Sequence, residues 1–150
     1  PDSTGALRVG VSEGVEVRCR LYNANAGGAS GEMIPTLREH ELIHPGEVGH
    51  LGPLLRSSQF RTNLGILNPN PRPIQVRAAI VDDRGVEVAR VTYPMAPGSQ
   101  GQVNDVLLTQ RIEQADGYQV MVSSEDVFAA YAAIVDTRSG MPTLLLPVKR

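Results

Sequence analysis

Apolar side chains recur at every second position in short runs along this chain, and glycine or proline closes most of the runs. Leu7, Val9 and Val11 alternate with Ala6, Arg8 and Gly10. Val15, Val17, Cys19 and Leu21 then alternate with Glu16, Arg18, Arg20 and Tyr22. In an extended chain this spacing gives one apolar face and one charged face, which a period of 3.6 residues cannot do. The same reading predicts strands over Phe60–Asn68, Ile74–Val81, Val86–Tyr93, Gly117–Ser123, Val127–Val135 and Thr143–Pro147. Val127–Val135 is apolar on both faces, as a central strand covered on both sides would be. Asp82-Asp83-Arg84-Gly85 reads as a hairpin turn, with Gly85 supplying the positive φ of a type I turn plus bulge. With 15 glycines and 11 prolines in 150 residues, long helices have little room. Asn104–Ile112 is the exception, a short helix capped by Asn104 or Asp105. The expectation is an all-β antiparallel β-sandwich in a single domain over residues 1–150, with at most one short helix near 104–112.

Composition narrows the partners. The net charge of −2 leaves no basic footprint for phosphate, so nucleic acid is not expected. No apolar run approaches the roughly 18 residues of a membrane-spanning segment. Cys19, the single cysteine, has no internal disulfide partner and belongs to no metal-ligating cluster of cysteines. Its phase with Val15, Val17 and Leu21 predicts a buried apolar thiol, not a nucleophile. Pro1 in first place is what a processed or excised chain would show.

Part of the chain repeats. Gly5–Ser12 resembles Gly117–Ser123, and each leads into a second strand, Val15–Tyr22 and Phe128–Val135. Each second strand ends in Asn23 or Asp136. A glycine-containing loop and an apolar strand ending in Pro35 or Pro147 follow. Val9 stands 111 residues before Val120, Val15 stands 113 before Phe128, and Pro35 stands 112 before Pro147. That distance is too long for a solenoid unit and suits domain-sized modules in an array, with a junction near 36–58. One sandwich with two similar edges is the alternative.

The segments Phe60-Arg-Thr-Asn-Leu-Gly-Ile-Leu-Asn68, Asp83-Arg-Gly85, Pro97-Gly-Ser-Gln-Gly-Gln-Val-Asn-Asp105 and Phe128-Ala-Ala-Tyr-Ala-Ala-Ile-Val-Asp-Thr-Arg-Ser-Gly-Met-Pro142 occur in this order. Together they resemble the β-sandwich repeat modules of secreted bacterial proteins, over residues 45–148 directly and 5–36 through the repeat. The resemblance implies an immunoglobulin-like, non-catalytic accessory module of the cell surface or extracellular space. It brings no catalytic residues with it.

His40-Glu41-x-x-His44 is the sharpest chemical pattern, and all three histidines lie between positions 40 and 50. On a helix, His40 and His44 would share a face and could ligate zinc, with His50 as third ligand and Glu41 as general base. Thr36-Leu-Arg-Glu39 resembles a capping box for that helix, and Met95 or Met141 could serve as a Met-turn. Against this, Pro45 pushes His44 out of helical geometry. The glycine of the extended motif is also displaced, to Gly46, with Glu at position 47. The stretch 36–50 is therefore expected to be polar strand–turn–strand. A zinc peptidase or metal-binding domain is the alternative.

Other candidates are structural. Gly98-Ser-Gln-Gly101 reads as a turn before a strand, and Asp82-Asp83 and Glu125-Asp126 as solvated acidic loops. Arg61 and Asn63, on the polar face of their strand, are expected to anchor a loop through hydrogen bonds. Aromatics are 4% with no Trp, so a glycan-binding module lacks a visible stacking platform. The functional expectation is a structural or adhesive module, partnered by other proteins, itself or neighbouring modules, and without cofactor.

Overall fold

The computed structural model describes residues 6–25 and 28–150, with residues 21–25 and 28–32 as backbone. A five-stranded sheet is built from β3 (Gly49–Arg56), β5 (Ile74–Val81), β6 (Glu87–Met95), β8 (Ala115–Ser123) and β11 (Val148–Lys149). Its order is β11-β3-β8-β5-β6. A four-stranded sheet joins β4 (Phe60–Leu67), β7 (Gln100–Val103), β9 (Ala129–Asp136) and β10 (Pro142–Leu145), in the order β10-β9-β4-β7. Every pairing is antiparallel. A hairpin of β1 (Cys19–Asn25) and β2 (Gly28–Ile34) forms a third, separate sheet. The molecule is an all-β sandwich. In immunoglobulin domains the first strand flanks the second and the last flanks the sixth. Here β3 flanks β8 and β9 flanks β4.

The alternation of the sequence becomes the core. Leu64 and Ile66 from one sheet meet Val76, Ala78, Ile80, Val120 and Val122 from the other, with Phe128, Ala130 and Ala132 completing the layer. Each large side chain removed from water in this way stabilises by about 1.5–3 kcal/mol. One buried polar side chain ties the layers. Thr62 Oγ1 donates to the Leu55 carbonyl at 2.7 Å and accepts the Leu55 N–H at 3.2 Å. The turn at 82–85 forms as its residues require, with Gly85 at φ 84° and a register shift between Ile80 and Val81. The one α-helix among the described residues, α1 (Val106–Thr109), is capped by Asp105, whose side chain accepts the Leu108 N–H.

Two regions depart from expectation. Residues 6–18 form no strand, and the first strand begins only at Cys19. Leu7, Val9, Val11 and Val15 are exposed, and Cys19 is half-buried, not a buried core thiol. The alternation there is intact, but neither large sheet hydrogen-bonds to it among the described residues. Gly49–Arg56, rich in breakers, is a strand nonetheless. Gly49 faces inward, where a Cβ would lie 2.5 Å from Ile43 Cδ1, so the absent side chain makes room for a core isoleucine. Gly52-Pro53 is taken up in register shifts between Leu51 and Leu55.

The segment preceding β3 is clamped to the last strand. Val48 and Arg150 exchange backbone hydrogen bonds at 2.8 and 3.0 Å. Lys149 Nζ donates to the His40 and Leu42 carbonyls at 2.9 and 3.0 Å, and pairs with Glu47 at 3.3 Å.

Candidate functional site

The histidine segment makes neither the helix that zinc chemistry needs nor the expected strand–turn–strand over 36–50. Between Pro35 and Val48 it holds only a 3-10 turn, a single bridge at Ile43 and a turn, with strand starting at Gly49. Glu39–Glu41 is a single 3-10 turn, and Leu42 is already extended at φ −64°, ψ 158°. Ile43 then bridges to Phe128 through hydrogen bonds of 2.8 and 3.0 Å and drives its side chain into the core. The helix is thus overridden by burial of one residue inside the pattern. Only half of a capping box forms, two residues later than read: the Arg38 N–H donates to Glu41 Oε2 at 2.6 Å, while the Arg38 guanidinium can accept nothing in return. Thr36 Oγ1 instead donates to the Val17 carbonyl at 3.2 Å. Glu41, the would-be base, is therefore engaged in capping. His40 is exposed, His44 Nε2 lies 3.2 Å from the Glu39 carbonyl, and His50 sits in β3 opposite Met121. Among the described residues no three His, Cys, Asp or Glu side chains are grouped to hold a metal ion. Met95 is buried in β6, and Met141 lies in the loop before β10.

The polar residues that are buried serve loops. Asn63 Oδ1 accepts the Asp105 N–H at 3.0 Å, which anchors the loop before α1, while Arg61 is exposed. Asp105 also faces Arg56, with Nε 2.9 Å from Oδ2 in an ionic contact that lacks hydrogen-bond geometry. Asn68, fully buried at the end of β4, donates to the Arg72 and Ala96 carbonyls at 2.8 Å each and accepts the Asn70 N–H at 2.9 Å. Sequence reading passed over Asn68; its signal lay in the Asn-Pro-Asn-Pro run that opens a tight loop.

Asp82 corrects the expectation of a solvated acidic loop. It is buried and accepts the N–H groups of Val86 at 2.8 Å and Arg84 at 3.0 Å. Those bonds, the Val86 N–H first, hold its carboxyl below the usual aspartate range. Asp136 is lowered in the same manner, chiefly by the Arg138 N–H, and Glu47 chiefly by the His44 N–H. Asp126 pairs with Arg72, and Glu125 with Arg77 at 3.3 Å.

Two surface depressions stand out, of about 360 and 390 Å³. The first lies between Ile74, Arg77, Ser124 and Glu125. Its polar groups are spent on one another, since Ser124 Oγ donates to the Gln75 carbonyl at 2.7 Å. The second is lined by Arg56, Asp83, Asp116 and Tyr118. Neither brings a nucleophile and a base together. What the surface does offer is strand edge: β6, nine residues long, has a neighbour on one side only among the described residues.

No family model matches the sequence, and no curated protein matches it. The crystal structure of Thermotoga maritima 1070 is similar at a TM-score of 0.49 and 11% identity, over 71% of this chain and 96% of that one. A likeness of that degree bears on no activity.

Proposed function

We propose that this chain is a non-catalytic structural module of the bacterial cell surface or extracellular space, acting through contact with other proteins or with further modules like itself. The carrying observation is the β1–β2 hairpin, a two-stranded sheet that extends neither large sheet. A hairpin alone is at best marginally stable in water, and this one touches the sandwich chiefly through β2 against β10, which favours further support from a partner. The open edge of β6 supports the same reading, since unpaired strand edges are templates for association.

Sedimentation velocity of the chain over a range of concentrations, together with binding to intact bacterial cells, tests this. Concentration-dependent association or cell binding is expected. Isolated monomers that bind no cells count against it. One zinc per chain with peptide cleavage abolished by Glu41→Ala would replace it with an enzyme.

A further inference from the structure

Five apolar positions of the first 19 residues match the core of the sandwich at a spacing of 113, two residues longer than the Val9–Val120 likeness, while Val11 falls on the buried polar Ser124. Leu7, Val9, Val15, Val17 and Cys19 stand 113 residues before Val120, Val122, Phe128, Ala130 and Ala132. All five of the later residues belong to the core, and each is at most 2% exposed. Their counterparts are less covered: Leu7 is 88%, Val9 56% and Val15 52% exposed, and Val17 and Cys19 are half-buried. Of the polar residues between them, Arg8 falls on the half-buried Met121, whereas Glu16 and Arg20 fall on Ala129 and Ala133, which are 6% and 5% exposed. Arg18 corresponds to Tyr131, which leans over β4 outside the core, and Arg18 forms an exposed pair with Glu16 at 3.1 Å.

The pairing agrees with the phase. Cys19 lies opposite Ile34 as Ala132 lies opposite Leu145, and Leu145 packs against the core. A turn at Glu13-Gly14 interrupts the first stretch, as a bend at Glu125-Asp126 interrupts the second. A one-residue slip would turn every apolar side chain to the wrong face, so both stretches keep the phase of β8 and β9, and the hairpin rung agrees with it.

We infer that residues 7–34 are the closing strands of a second sandwich, completed by an upstream module of this same fold on the same polypeptide. This rests on the reading of the chain as an associative module, and it names the partner. In that module residues 7–11 take the place of β8, and Val15–Asn25 and Gly28–Ile34 take those of β9 and β10. A second copy of this chain does not fit as the occupant. Its β8 is already held between β3 and β5, and its β4 between β9 and β7, so no slot is open.

The test extends the chain by its own strands. Residues 37–117 placed directly before residue 5 put Leu7 where Val120 stands and supply every strand except the closing ones. Amide hydrogen exchange is then followed at low protein concentration in this chain and in 1–150. Protection of residues 7–11 and 15–25 should rise at least 100-fold in the extended chain. Leu7→Asp with Val17→Asp should abolish that gain and leave residues 49–149 unchanged. A control extension of residues 37–148, which brings its own closing strands, should give no gain. Equal exchange in the extended and parent chains overturns the inference, as does equal protection in the control. Protection that grows with concentration in 1–150 alone assigns the face to a second copy and also overturns it. The readout is intramolecular, so it can fail while the parent chain still associates or binds cells, and the converse holds too.

Discussion

Asn68 shows how a single buried amide can hold two loops. It fastens the loop after β4 to the carbonyls of Arg72 and Ala96, and the neighbouring Asn70 reaches across to the Val127 carbonyl at 2.6 Å. Asn68→Ala leaves these groups without a partner in a dry place, which costs about 1–3 kcal/mol for each group left unsatisfied. We expect a loss of about 3 kcal/mol, read as a lower urea midpoint at unchanged slope. Asp82 gives a pH dependence. Its carboxyl titrates lower in the folded chain than the ordinary value of 3.8, so its contribution is complete above that pH and is lost as pH falls through the folded value. Asp136 and Glu47 act in the same direction. Melting temperature should therefore fall below about pH 4, and Asp82→Asn should flatten that fall while lowering stability at pH 7. Such residues were hard to see in advance. The loop anchoring of Asn63 was legible because a polar side chain on a strand face has few other uses. The burial of Asp82 was not, because a turn carboxylate looks the same in sequence whether it points out or caps the turn.

Among elements, β4 and β9 are joined by a contact that alternation alone does not reveal. Gly65 lies opposite Tyr131, and a Cβ on Gly65 would sit 2.1 Å from two of the ring carbons. The ring instead lies across the glycine, its hydroxyl donating to Gln102 at 3.0 Å. Gly65→Ala should destabilise by about 1–3 kcal/mol. Most of that should be recovered in the background of Tyr131→Ala, because the clash is then removed, and a thermal double-mutant cycle measures it. The strands from Phe60 onward were readable since each has a covered face and a wet one. The bounds of β5 fall as the sequence indicated, and those of β6 and β9 within two residues. β3 is hard to read because Gly49, Gly52 and Pro53 resemble loop residues, and the first of them is explained by the close approach of Ile43, with Pro147 and Val122 beside it. Residues 7–17 failed in the opposite way. Their period was right, but a strand needs a neighbour, and periodicity does not say whether one is present.

For the whole molecule, the sandwich and the hairpin should be energetically separate. Val17→Asp ought to leave the melting temperature of the chain within about 1 °C of the parent, since residue 17 precedes β1 and pairs with neither large sheet. Leu64→Ala, which removes a fully buried side chain from the centre, should cost about 2–5 kcal/mol. Circular dichroism melts of the two variants distinguish a shared core from two independent ones. The histidine pattern teaches the same lesson at this scale. Spacing alone allowed a zinc helix, and the need to bury Ile43 between the sheets decided the conformation.

The rungs joining Val48 to Arg150 and Gly49 to Lys149 place entry and exit of the sandwich side by side. A pull transmitted through those two points therefore does not load the sheets in shear. It should load the Lys149 ammonium's bonds to the entering segment first and then open the shortest strand one rung at a time, like a zip. A module built in this way should give way at its final strand and lengthen by a few residues before the sheets behind it are loaded.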